Sequence, residues 1–306
     1  MDQIDHAQAS AQLRDQFNAA IKERGISVQK AATQMGMKSS ARLSQWAKGK
    51  YGGRVDRVET SVTAWLARES GRTEIISDEI PFVKTTIAKK AFDVARKAHV
   101  ARSICLLVGP SGVGKTRAMR EYATVNPDVI MIECHKLYRA RDVISDIHRA
   151  TGLDGKGTVH VMVRDIVERL KGNGRLIIID EAENLNATSL DEIRRIHDWA
   201  GVGILYVGLE RFYAQLRGLR GDYEYLVNRV RARAKVERLT EDDARQIIMR
   251  YIDQPGSLVR HFHEASNGVA RLLITLIVDS MELARAYDTR VTPDIITAVV
   301  QERGLS

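Results

Sequence analysis

The segment that most constrains this chain is Gly109-Pro110-Ser111-Gly112-Val113-Gly114-Lys115-Thr116. It fits the pattern G-x-x-x-x-G-K-[ST], follows directly on the apolar run ICLLV, and opens a helical pattern over 115–124. Glycines at those spacings let backbone N–H groups turn inward around an anion, and a helix start adds its positive dipole end. Lys115 would bring charge to the β- and γ-phosphates of a nucleoside triphosphate, and Thr116 a hydroxyl to Mg²⁺. A glycine-rich turn alone is common. Strand, loop, lysine, threonine and helix agreeing in this order make the reading specific.

A second segment completes the chemistry. Leu176 to Ile179 form an apolar run that ends in Asp180 and Glu181. A carboxylate at the carboxyl end of a parallel strand lies beside a phosphate loop. Asp180 would hold the Mg²⁺ shell through water, and Glu181 would orient an attacking water as base.

Around these motifs, apolar runs at 104–109, 129–134, 176–180 and 203–208 alternate with helical patterns at 140–151, 158–171 and 188–200. Runs apolar on both faces suit a parallel sheet covered by helices, so residues 81–235 are expected to form an α/β domain. Beyond residue 236 four helices are expected, the last opened by Thr292 as cap and Pro293 in its first turn. Residues 1–70 read as short helices, with Leu13, Phe17, Ala20 and Ile21 on one face and Ser27 as a cap. The polar stretch 71–80 reads as a linker.

Charge is informative because of where it falls. The 306 residues carry 47 Lys+Arg and 39 Asp+Glu, for a net +8. Residues 1–80 hold 12 basic against 10 acidic residues, so most of the excess lies beyond them. Such a balance permits an anionic partner without requiring one. The two cysteines, Cys105 and Cys134, sit in apolar runs and read as buried thiols, too few for a disulfide framework or a four-cysteine zinc site. His261 and His263 are two apart, which on a helix does not put them on one face for a metal. No run approaches the length of a membrane span, and the polar N-terminus does not resemble a secretory signal; a cytoplasmic protein is expected.

In the first domain, Ala32, Gly36, Leu43 and Trp46 resemble the core positions of a helix-turn-helix, with a turn one residue longer than usual. Lys38, Arg42 and Gln45 would then face DNA. A small bundle used for protein contact fits the near-neutral charge of this region equally.

With GPSGVGKT, IIIDEAENL and a helical C-terminal segment in this order, the chain resembles the AAA+ ATPases. The resemblance implies a P-loop parallel sheet with a C-terminal helical lid (236–306), here preceded by a small all-α helix-turn-helix domain. It implies ATP and Mg²⁺ as ligands, with Gly109, Pro110, Ser111, Gly112, Val113, Gly114, Lys115, Thr116 and Asp180 as the nucleotide site. The match Asn267-Gly268-Val269-Ala270-Arg271 makes Arg271 the lid arginine that reaches the γ-phosphate. In VNRVRARAKVERL, Arg229 is favoured over Arg231 and Arg233 as the finger donated to a neighbouring subunit. The family carries a polar residue after the strand GILYVG, where this chain has Leu209. Either Glu210 substitutes or hydrolysis is slow.

Within AAA+, the order and spacing of Lys50-Tyr51-Gly52-Gly53, Trp65-Leu66, Pro81-Phe82-Val83, the loop, IIIDEAENL and GVARLLITL resemble the Mu-type transposition B family of target-DNA activators. That resemblance implies an ATP-dependent filament on double-stranded DNA, largely independent of sequence, that delivers the DNA to a transposase in a bacterial host. DNA-contacting residues would be Lys136, Arg139, Arg141 and Lys156. A helicase loader or another transposon-helper ATPase shares every nucleotide motif. An ATP-gated helix-turn-helix transcription regulator is the reading of a different class.

Overall fold

The computed structural model describes residues 2–23, 27–35, 37, 40–51, 53, 55, 58–63, 65–66, 82–218 and 228–304. The chain divides into two compact units, Met1–Pro81 and Phe82–Ser306.

The first unit is helical: α1 (Asp2–Glu23), α2 (Val28–Gln34), α3 (Ser40–Ala47) and further helical residues over 58–63. Ser27 caps α2, its side chain accepting from the Lys30 amide. Phe17, Ala32, Leu43, Trp46, Val62 and Trp65 form its buried core. Phe17 meets Trp46 and Trp65 edge-on, at 5.8 and 5.6 Å between ring centroids. Trp46 satisfies its indole N–H on Glu59 (3.2 Å).

The second unit begins with α4 (Thr86–Val100), then β1 (Ile104–Val108), α5 (Lys115–Val125), β2 (Val129–Glu133), α6 (Ala140–Ala150), α7 (Val159–Leu170) and β3 (Leu176–Asp180). A 3₁₀ turn, Ala182–Asn184, leads into α8 (Ala187–Ala200), followed by β4 (Gly203–Gly208), α9 (Glu210–Gly218) and β5 (Val230–Lys235). Four helices follow: α10 (Glu241–Ile248), α11 (Leu258–Ser266), α12 (Ala270–Ala286) and α13 (Pro293–Glu302). The sheet order is β2-β3-β4-β1-β5, and every pairing is parallel.

The four expected strands are present, with β1, β3 and β4 fully buried. Their alternate side chains feed two cores. Cys105, Leu107, Ile178, Leu205 and Val207 face α4, α5 and the lid, and Leu106, Val108, Ile177, Ile179 and Tyr206 face α6, α7 and α8. Burying each such Leu or Ile contributes about 1.5–3 kcal/mol. Both cysteines are buried. Thr292 caps α13, with Pro293 in its first turn.

The fifth strand was not expected. Val230–Lys235 reads as a basic stretch, yet Arg231, Arg233 and Lys235 point outward while Val230, Ala232 and Ala234 are half-buried. An edge strand needs only one apolar face. Among the described residues no helix is long and apolar enough to cross a membrane, and no cluster of His, Cys, Asp and Glu could hold a metal ion by itself. The expected linker, 71–80, lies outside the described residues.

Candidate nucleotide site

The loop closes over the carboxyl end of the sheet, between β1 and α5. Gly112 (φ +74°) and Gly114 (φ +106°) hold left-handed backbone that side chains disfavour. Gly109 is required for space: a Cβ there would lie 2.4 Å from the Val236 carbonyl oxygen. Lys115 is buried, and its Nζ donates to the carbonyls of Gly109 (2.9 Å) and Pro110 (2.7 Å). The ammonium thus folds into the concavity of its own loop. Burial pushes its pKa below the ordinary lysine value, opposed by the charges of Asp180 and Glu183.

Asp180 ends β3 and is 3% exposed. Its Oδ1 accepts from the Glu181 amide (2.9 Å), and its buried Oδ2 has no hydrogen-bond partner among the described residues. Burial raises its pKa, while the Thr116 hydroxyl, the Glu181 amide and Lys115 lower it. An unpaired buried carboxylate oxygen next to a loop threonine is a donor set that fits a hard divalent cation such as Mg²⁺.

Glu181 is exposed, with φ +53°, a left-handed conformation unusual for a residue with a side chain. Its Oε2 accepts from Asn184 Nδ2 (3.1 Å), and the same Nδ2 donates to the Cys134 carbonyl (3.1 Å). Leu209 brings no polar side chain, and the exposed Glu210 is engaged with Lys235 (2.7 Å). The carboxylate that reaches the end of β4 is Glu183, whose Oε2 accepts from the Leu209 amide (3.1 Å). Sequence reasoning missed both Glu183 and Asn184. Gly208 was the available signal, because a glycine ending a buried strand marks close approach.

The lid reaches the loop through its backbone. At the start of α12 the Arg271 amide donates to the Gly112 carbonyl (3.0 Å), and a Cβ on Gly112 would lie 2.9 Å from Val269. Gly109 to Thr116, Asp180, Glu181 and the exposed Arg271 are therefore gathered in one region. Arg229 is placed elsewhere: it precedes β5, and its Nε lies 3.3 Å from Asp198 of α8. Arg231 and Arg233 lie within β5, with Arg233 over the Tyr213 ring at 4.1 Å.

Of the candidate DNA residues, Lys136, Arg139 and Arg141 are exposed around the start of α6. Lys156 is also exposed, in the α6–α7 loop. Its neighbour Gly155 is tied back to α6: Ser145 Oγ donates to the Gly155 carbonyl (2.8 Å), and the Gly155 amide donates to His148 Nδ1 (2.9 Å). Ser145 is about one helical turn beyond Arg141. Arg42 and Gln45 are exposed on α3; Lys38 lies outside the described residues.

Comparisons with known proteins agree with this geometry. An AAA domain matches residues 98–216. The Mu-like prophage FluMu DNA transposition protein B of Haemophilus influenzae is 26% identical over 224 residues, covering 71% of this chain and 77% of that protein. The ATP-dependent target DNA activator B of Escherichia phage Mu is 29% identical over 217 residues, covering 68% of each. Among solved structures, the ADP form of the Aeropyrum pernix ORC2 protein aligns with TM-score 0.57 at 17% identity, over 72% of this chain and 70% of that one. At that identity the likeness concerns the fold alone. With a five-stranded parallel sheet, a glycine loop after β1 and a helical segment closing on that loop, the chain carries an AAA domain on an AAA+ fold and is similar to the transposition B proteins of Mu-type phages.

Proposed function

We propose that this protein is an ATPase of DNA transposition that binds duplex DNA when loaded with ATP, assembles on it as a filament, and delivers it to a transposase. The observation that carries the nucleotide half is the unpaired Asp180 Oδ2 beside Thr116 and the buried Lys115. The transposition half is supported by the relatives named as transposition protein B and target DNA activator.

In this reading the amides of residues 109–116 cradle the phosphates, and Lys115 swings from its own carbonyls onto the β- and γ-phosphates. Thr116 and Asp180 hold Mg²⁺, which when bound neutralises charge on the phosphate oxygens. Glu181 accepts a proton from the attacking water, and Arg271 approaches the γ-phosphate from the lid. Arg229 serves a neighbouring subunit after leaving Asp198, an exposed pair worth about 0–1 kcal/mol. Residues 81–235 act as the ATPase domain, 236–306 as the lid, and 1–70 as a helix-turn-helix unit presenting Arg42 and Gln45, with Lys38, to DNA. Lys136, Arg139, Arg141 and Lys156 contact DNA phosphates, so log affinity falls linearly with log salt concentration, with a slope of roughly −0.9 per neutralised phosphate.

The test is electron microscopy of the protein on long duplex DNA, with ATP and without nucleotide, for wild type and Lys115→Ala. Regular coverage only with ATP, absent in the variant, is expected. Undiminished filaments in Lys115→Ala would overturn the assignment.

A further inference from the structure

Glu181 stands in backbone it would not choose. A left-handed φ on a residue with a side chain is disfavoured and persists only where surroundings impose it. Immediately after Glu181 comes the 3₁₀ turn Ala182–Asn184, and two of its side chains are fastened to backbone just beyond the ends of two different strands. Asn184 spends both amide hydrogens on one side, one to the Cys134 carbonyl just past β2 and one to Glu181 Oε2, each at 3.1 Å. Glu183 acts on the other side, its Oε2 accepting from the Leu209 amide at 3.1 Å. The missing side chain at Gly208 makes room for this, since a Cβ there would lie 2.4 Å from the same oxygen. Leu209 directly precedes α9, so the carboxylate also sits at that helix's positive end. Glu183 is close enough for its charge to act on Lys115 as well.

We propose that Glu183 and Asn184 are positioning residues that clamp the 182–184 turn between the ends of β2 and β4 and thereby fix where the Glu181 carboxylate stands. Neither touches the reacting atoms; each acts through the backbone and side chain of Glu181. The inference rests on the reading of Glu181 as the base for ATP hydrolysis.

The clamp predicts a separable defect. Glu183→Ala and Asn184→Ala should each lower kcat by about 10- to 100-fold, the range expected when a reacting group is misplaced by up to an ångström. KM and the affinity for a fluorescent ATP analogue should stay within about twofold. Gly208→Ala should reproduce Glu183→Ala without touching the carboxylate, and Glu183→Gln, which keeps an acceptor oxygen, should retain most activity. Independently of turnover, hydrogen exchange at the Leu209 amide should accelerate in Glu183→Ala and Gly208→Ala and not in Asn184→Ala. If wild type hydrolyses no ATP, the ATPase reading fails. If Glu181→Gln keeps full activity, the base assignment fails. If Glu181→Gln is inactive while Gly208→Ala and Asn184→Ala turn over normally with unchanged exchange, the clamp is overturned, whatever the folding of Glu183→Ala.

Discussion

Replacing Asp243 tests how the lid is fastened to the α/β layer. This carboxylate is fully buried near the start of α10, yet it faces the first turn of α4, 157 residues away in sequence. Its Oδ1 accepts from the Thr86 amide (2.7 Å), and its Oδ2 from the Thr86 hydroxyl (2.6 Å) and the Thr240 amide (3.3 Å). One charge therefore caps two helices, favourably placed at the positive end of each. Asp243→Ala removes both acceptor oxygens and the three hydrogen bonds they receive, and leaves the Thr86 amide without its partner. Bonds to a charged group contribute about 1.5–3 kcal/mol each and are not additive, so a net loss of about 3–5 kcal/mol is expected. For a unit the size of Phe82–Ser306, each kcal/mol shifts the melting temperature by about 2–4 °C, giving a drop of roughly 6–20 °C. Asp243→Asn keeps one acceptor oxygen and should lose about half as much.

The pH dependence supplies a second check. Burial raises the Asp243 pKa, but the bonds from Thr86 and Thr240 outweigh it, so the folded value lies below the ordinary one. The group's contribution is then fully present above the unfolded value of about 3.9 and is lost as pH falls through the folded pKa. Thermal melts of wild type and Asp243→Ala should differ by a constant margin from pH 8 to about 5 and converge below about 4. A variant that melts within about 1 °C of wild type at pH 7 would refute this account of the lid's attachment.

Other expectations are quickly checked. Glu181→Gln should bind ATP and DNA normally but hydrolyse at least about 100-fold more slowly, trapping the assembled state; loss of assembly would make Glu181 structural. Arg271→Ala should weaken ATP binding by about tenfold in titration, the loss of one charge-assisted contact, and unchanged affinity would remove it from the site. Burial, with Asp146, Asp180 and Glu181 adding to it, pushes the Cys134 thiol up to about 12. At pH 8 only about one in ten thousand would be thiolate. Iodoacetamide should leave Cys134 unmodified in the native protein and label it on unfolding; rapid native labelling would contradict its burial. Deleting residues 1–75 should leave nucleotide binding intact, and its loss from a folded remainder would contradict an ATPase core that starts near Phe82.

What the sequence disclosed follows how local each signal is. The loop is legible because all its parts are contiguous, and β1, β3 and β4 because both their faces are apolar. Strand β5 is not, because its outward Arg231, Arg233 and Lys235 dominate the composition while Ala232 and Ala234 give only a faint inward pattern. Helix α4 is not legible either, because its buried face of Ile87, Ala88, Ala91, Val94, Ala95 and Ala98 is too rich in alanine to stand out. Nothing nearby separates Glu183 from Glu181. The difference is a hydrogen bond to an amide 26 residues on, which exists only once β3 and β4 lie side by side.

The bond from the Arg271 amide to the Gly112 carbonyl has a consequence for how the protein is made. It joins positions 159 residues apart, so during synthesis the loop appears long before the segment that completes its wall. A chain stalled before residue 268 would hold every strand of the sheet and the glycine turn, yet lack the contact at Gly112. Because long-range contacts form late and domains fold as units, nucleotide capture should wait until the start of α12, with Arg271, has emerged from the ribosome.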